Sequence, residues 1–192
     1  MSDMMESLSC HSDSVSTRKN AVASDITIAL AGNPNAGKST IFNTLTGLHQ
    51  HTGNWPGKTV EKKEGLCRHD GLAINVVDLP GTYSLTAYSP EELISRNFIL
   101  EESPDVIVNV LDATNLERNL YLTVQLLEMG VPVVIALNMT DGLHKDGMSI
   151  DIAGLSRILG GVPVISTSAN QEKGIPELLQ AIVRVARASR KG

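Results

Sequence analysis

Past Asp25 the chain alternates short, nearly continuous apolar runs with longer stretches that are apolar on one face only. Ile26, Ile28, Ala29, Leu30 and Ala31 form the first run, which reads as a buried strand. Runs at 72–78, 106–111, 131–137 and 162–165, rich in Val and Ile, predict further strands. A sixth strand is predicted over 60–64, with Asp70-Gly71 marking a hairpin turn before the run at 72–78. Helices are predicted over 38–46, over 91–101 before Pro104, and over 117–129, where Gly130 and Pro132 end the pattern. The last helix starts near Pro176, and Ile175, Leu178, Leu179, Ile182 and Val183 recur at helical spacing. Continuous apolar strands interleaved with helices predict an α/β fold. Its sheet is expected to be mostly parallel and six-stranded, with one antiparallel edge strand and helices on both faces. In such sheets ligands bind beyond the carboxyl ends of the strands.

The first 24 residues break this pattern. Seven serines crowd them, and they hold no apolar segment of the kind a secretory signal needs. They read as a disordered tail, and the Cys10-His11 pair has no partner pair nearby to make a metal site. The folded part is expected over 25–188, followed by a polar end at 189–192. The whole chain has 192 residues, a one-domain length. Aromatics are only 3%, so the core must be built from Val, Ile, Leu and Ala. A net charge of -5 argues against a protein that binds nucleic acid chiefly through charge. Two cysteines are too few for a disulfide scaffold. The apolar stretch at 131–137 falls far short of the roughly 20 residues that span a bilayer, so this chain is not expected to cross a membrane.

Several motifs fall at predicted strand ends. Gly32-Asn33-Pro34-Asn35-Ala36-Gly37-Lys38-Ser39 fits G-x-x-x-x-G-K-[ST] between a strand and a helix. Glycines let the backbone curl so that its N–H groups face phosphate oxygens, and the helix starting at Lys38 adds its positive end. Lys38 is placed to reach the β- and γ-phosphates, Ser39 to ligate Mg²⁺, and Thr40 follows in the same turn. Asp78-Leu79-Pro80-Gly81 matches D-x-x-G: the carboxylate can hold Mg²⁺ through water, and the Gly81 N–H can sense a γ-phosphate. Thr59, between these two motifs, is a candidate switch residue that closes on Mg²⁺. Asn138-Met139-Thr140-Asp141 has the form N-x-x-D, close to the N-K-x-D guanine signature. Asp141 can accept from the guanine N1 and N2 hydrogens, which adenine does not offer. Asn138 can bridge the base edge and neighbouring loops, and Met139 replaces the usual Lys as an apolar cover for the base. Ser168-Ala169, one strand later, matches the element that meets guanine O6 through backbone N–H.

With these motifs in order, the chain resembles translation-factor-related GTPases. The segment from His51 to Gly65, with Asn54-Trp55-Pro56-Gly57 inside it, closely resembles the first switch of the FeoB family of ferrous iron transport GTPases. Asp78 to Leu85 and Glu117-Arg118-Asn119-Leu120-Tyr121-Leu122 resemble the same family at matching places. The resemblance covers 26–186. It implies a P-loop NTPase G domain that binds GTP and GDP with Mg²⁺ and regulates Fe²⁺ uptake at the inner face of the cell membrane. In that family a helical domain and a polytopic membrane domain follow. The chain is therefore expected to act with a membrane iron-transport domain in cis, as part of a longer protein, or in trans. Oligomers are expected only through the transporter.

The resemblance also bears on mechanism. Many GTPases place a water-orienting glutamine just after the D-x-x-G glycine. Thr82 stands there, so slow intrinsic turnover is expected. GTPases with P-N-x-G-K in the loop use that Asn to coordinate K⁺, which makes Asn35 a candidate K⁺ ligand, with carbonyls near Gly53 and Trp55 completing the shell. His49 and His51 read as solvated loop residues rather than iron ligands. Two alternatives stand beside the GTPase reading: a ribosome-assembly-type GTPase, and a guanine-nucleotide switch without catalysis. An ATPase is a weaker one.

Overall fold

The computed structural model describes residues 24–47, 49–145 and 148–190. The expected tail, with its Cys10-His11 pair, lies outside the described residues except for Ser24. Seven strands form one sheet: β1 (Ile26–Gly32), β2 (Gln50–Asn54), β3 (Glu61–His69), β4 (Leu72–Asp78), β5 (Val106–Asp112), β6 (Val133–Asn138) and β7 (Val164–Ser166). Their order is β2-β3-β4-β1-β5-β6-β7. The five strands β4, β1, β5, β6 and β7 run parallel. β3 is antiparallel to β4, and β2 antiparallel to β3.

The α/β class, the parallel sheet and the hairpin are as expected, but the sheet has seven strands rather than six. The sheet edge is antiparallel as expected, but two strands build it: β3 pairs with β4, and β2 covers β3. β2 carries no apolar signal: Gln50-His51-Thr52-Gly53-Asn54 is polar and largely exposed. Backbone pairing with β3 holds it, from Gln50 opposite Gly65 to Asn54 opposite Glu61. The hairpin turns at Asp70 (φ 49°) and Gly71 (φ 76°). Both are left-handed, as a two-residue turn matched to strand twist requires.

Among the described residues six α-helices cover the sheet: α1 (Lys38–Thr46), α2 (Pro90–Asn97), α3 (Leu116–Glu128), α4 (Thr140–Lys145), α5 (Ile152–Ile158) and α6 (Ile175–Ser189). α2 starts with a capping box, in which Ser89 accepts from the Glu92 N–H and the Glu92 carboxylate accepts from the Ser89 N–H. It does not run unbroken to Glu101, because a π turn takes over at Phe98–Glu102 and ends at Ser103 in a left-handed conformation. α4 and α5 add two short helices to those expected.

The pleat sorts side chains into two cores. Ile28 and Leu30 of β1 face one, with Ile41 and Phe42 of α1 and Leu178 and Ile182 of α6. Ala29 and Ala31 face the other, with Leu122 and Leu126 of α3, Ile94 of α2, and Trp55. Each large side chain fully buried here contributes about 1.5–3 kcal/mol. This burial holds the carboxyl ends of β1, β4, β5 and β6 rigidly side by side, where the loops carrying the motifs emerge.

Candidate functional site

The loop after β1 is shaped by what crowds it. At Gly32 a side chain would run into the Val110 carbonyl, so only glycine lets β1 pass β5 there. Gly37 (φ 93°) sits against the Asn138 side-chain amide, which a Cβ would strike. Between them Asn35 is left-handed (φ 67°) and exposed, Pro34 half-buried and Ala36 buried. α1 then begins at Lys38, with no acidic residue in its first turn to quench the positive end of the helix.

Lys38 is buried, and its Nζ donates to the Asn33 carbonyl at 3.3 Å. Burial lowers the Lys38 pKa, and the nearby Asp78 charge opposes that. Asp78 ends β4. Burial pushes its carboxyl pKa up, opposed by the charges of Lys38 and Lys63 and by the Ser39 hydroxyl. Ser39 Oγ donates to Asp78 Oδ2 at 3.4 Å, while the buried Asp78 Oδ1 has no hydrogen-bond partner among the described residues. Lys38, Ser39, Asp78 and Gly81 line one cleft together with Glu61 and Lys63. Gly81 is pressed close: a Cβ there would lie 3.1 Å from Lys38 Nζ and from Pro34 Cα. Thr82 is buried, and its N–H donates to the Gly32 carbonyl at 3.2 Å. Thr40 is exposed in the first turn of α1.

A second group of loops backs the first. Asn138, at the end of β6, is 3% exposed. Its Nδ2 donates to the Ala36 carbonyl at 3.1 Å, and its Oδ1 accepts from the Ala169 N–H at 3.1 Å and the Thr167 hydroxyl at 3.4 Å. One side chain thus ties the phosphate-type loop, β6 and the loop after β7 together. Met139 is left-handed (φ 62°) and half-buried. Asp141 in α4 accepts from Ser168 Oγ at 2.8 Å and from Gln171 Nε2 at 3.2 Å. Asn138, Asp141, Ser168 and Ala169 therefore form one connected cluster, packed on the glycine of the first loop.

Residues 26–182 match the family model described as Ferrous iron transport protein B. The chain belongs to this family. It is 53% identical over 161 residues to the Fe(2+) transport protein A/Fe(2+) transporter FeoB fusion protein of Porphyromonas gingivalis, a match covering 83% of this chain and 19% of that protein. The FeoB G-domain structure from Methanococcus jannaschii is 49% identical, with a TM-score of 0.75, covering 84% of this chain and 97% of that one. The cytosolic domain of T. maritima FeoB in GMPPNP form is 45% identical, with a TM-score of 0.82, covering 84% of this chain and 64% of that one. The chain spans about a fifth of the length of the curated relatives it matches, 19% and 21% for two of them.

Of the FeoB-like first-switch segment, only Glu61 and Lys63 line the cleft. Thr59 is exposed and does not line it, because pairing of β2 with β3 carries the segment along the sheet edge. Gly53 lies in β2 opposite Lys62, and the Trp55 carbonyl accepts from the Lys58 N–H at 2.9 Å. Trp55 is buried edge-on against Phe98, with ring centroids 5.6 Å apart, under the Lys62 ammonium at 5.1 Å. His49 and His51 are exposed. No helix among the described residues is long and apolar enough to cross a membrane.

Sequence reasoning missed Thr167, Gln171, Glu61 and Lys63. Lys63 was within reach: counting back from Asp70-Gly71, each β3 residue pairs with its mirror in β4, and Lys63 falls opposite Asp78. Thr167 and Gln171 carry no signal beyond lying next to Ser168-Ala169.

Proposed function

We propose that residues 25–188 form a G domain that binds GTP and GDP with Mg²⁺ and hydrolyses GTP to GDP and phosphate. On this reading residues 1–24 are an appended tail. The domain regulates ferrous iron uptake through a membrane iron-transport domain, in cis or in trans, at the cytoplasmic face of the cell membrane. The observation that carries this is the meeting of two loop clusters: a cationic, glycine-shaped loop, and an Asn138–Asp141–Ser168 group bound to its back. The relative described in GMPPNP form supports guanine-nucleotide binding for this chain.

The loop amides of 33–40 and the Lys38 ammonium bind the phosphates. Burial of Lys38 strengthens that attraction by keeping water away. Asp141 accepts from the base, Ala169 N–H meets its oxygen, and Met139 covers its face. The oxygens of Ser39 and Asp78 fit a hard divalent cation, and the unpartnered Asp78 Oδ1 is the observation in favour. Mg²⁺ held by them would neutralise charge on the phosphates. Thr59 would be a further ligand from the β2–β3 connection, and the Gly81 N–H donates to the γ-phosphate. Thr82 offers its backbone rather than a long side chain to the attacking water, so intrinsic turnover is slow. Asn35 would hold K⁺ beside the phosphates, with the Gly53 and Trp55 carbonyls as its further oxygen ligands.

Equilibrium titration with GDP, GTP and ATP in Mg²⁺ tests the binding half of this reading. Asp141 recognises hydrogens that adenine lacks, so GTP should bind at least about a hundredfold more tightly than ATP. Equal affinities would overturn it.

A further inference from the structure

Arg118, in the first turn of α3, has no part in the reading above, yet it touches two pieces of the site. Its guanidinium lies over the Tyr83 ring, 4.1 Å from the ring centroid. Its carbonyl accepts from Asn33 Nδ2 at 3.4 Å. Asn33 is the buried residue whose own carbonyl receives Lys38 Nζ. Tyr83 directly follows Thr82, whose N–H is bonded to the Gly32 carbonyl. The stretch from Gly81 to Tyr83 is thus held on one side by the phosphate loop and on the other by a cation stacked on an aromatic face.

We infer that Arg118 is a positioning residue for GTP hydrolysis, acting through the face of Tyr83 to hold Gly81 and Thr82 against the phosphate loop. This rests on the GTPase reading above. The physical reason is that Gly81 and Thr82 must meet a γ-phosphate and a water with fixed geometry, and a backbone free to swing off Gly32 loses both. Tyr83 is 41% exposed, so packing alone does not fix it. A guanidinium over its ring does, with a strength typical of a solvent-facing cation–π contact. Truncating Arg118 to Ala leaves its backbone carbonyl in place, and with it the Asn33 bond. The perturbation therefore reaches the segment after Gly81 and not the loop that grips the α- and β-phosphates.

The test uses the full chain and compares Arg118→Ala, Tyr83→Ala, the double variant and Tyr83→Phe. Single-turnover GTP hydrolysis, GDP affinity and thermal midpoint are measured for each. Arg118→Ala and Tyr83→Ala should each slow hydrolysis about two- to fivefold. The double variant should be no slower than either, and GDP affinity should hold, because GDP has no γ-phosphate for the segment to meet. Tyr83→Phe keeps the ring face and should restore most of the rate lost in Tyr83→Ala. An unaltered rate in Arg118→Ala, multiplicative losses in the double variant, or GDP affinity falling in step with rate would each overturn the inference. A wild-type chain with no GTP turnover would overturn the GTPase reading and this inference together. Turnover that Arg118→Ala leaves intact would overturn only the latter.

Discussion

Asn138→Ala is the substitution whose cost can best be worked out from contacts. The side chain is 3% exposed and makes two hydrogen bonds of 3.1 Å, to the Ala36 carbonyl and the Ala169 N–H, and a weaker one of 3.4 Å to Thr167. Each good bond contributes about 1 kcal/mol net, and stranding the Ala169 N–H in a buried place adds about 1–3 kcal/mol. The expected loss is about 3–5 kcal/mol, which in a domain of this size lowers the melting midpoint by about 6–20 °C. The assay is thermal denaturation without nucleotide, followed by far-ultraviolet circular dichroism. Thr167→Val removes only the longest of the three bonds and should cost under about 1 kcal/mol. A midpoint for Asn138→Ala within about 2 °C of wild type would refute the idea that this side chain ties the loops together. GDP affinity should fall further than stability alone requires, because the loop around Gly37 loses its backing.

Other expectations follow from the same geometry. Gly32→Ala sets a methyl against the Val110 carbonyl and should destabilise the fold by about 1–3 kcal/mol, read by urea denaturation. Asp78 has a raised pKa when folded, so the contribution of its protonation to nucleotide-free stability is full below the ordinary value of 3.8 and is lost as pH rises through the folded value. Asp78→Asn should therefore flatten the stability of the nucleotide-free protein over that window while abolishing Mg²⁺-dependent turnover, and denaturation midpoints from pH 4 to 7 would show it. Trp55 is the sole tryptophan and is buried against Phe98, so its emission should differ between the GDP and GMPPNP forms if the first-switch segment moves. An unchanged spectrum counts against such movement. Turnover should be faster in KCl than in NaCl, and Asn35→Ala should erase that difference.

What could be read from the chain follows from where side-chain burial dictates structure. β1, β5 and β6 are buried on both faces, so their apolar runs are unbroken and unmistakable. The phosphate-type loop is legible because its glycines answer to local collisions, Gly32 with Val110 and Gly37 with Asn138. β2 was not legible, because backbone pairing holds it and its side chains face water. α5 has an Asp151 cap and Ile152, Leu155 and Leu159 at helical spacing, but it is only seven residues long and contains Gly154. The residues at motif positions could be singled out by spacing, whereas Thr167 and Gln171 join the cluster through tertiary proximity that spacing does not encode. Thr59 shows the opposite gap: its place between two motifs makes it a switch candidate, but it is exposed and does not line the cleft.

The most direct test of the central claim is multiple-turnover phosphate release from GTP by the wild-type chain in Mg²⁺ and KCl, with ATP and Lys38→Ala as comparisons. The account predicts slow, saturable release from GTP, little from ATP, and loss of at least about a hundredfold in Lys38→Ala. Release from GTP no faster than in buffer, or equal release from ATP, would contradict it.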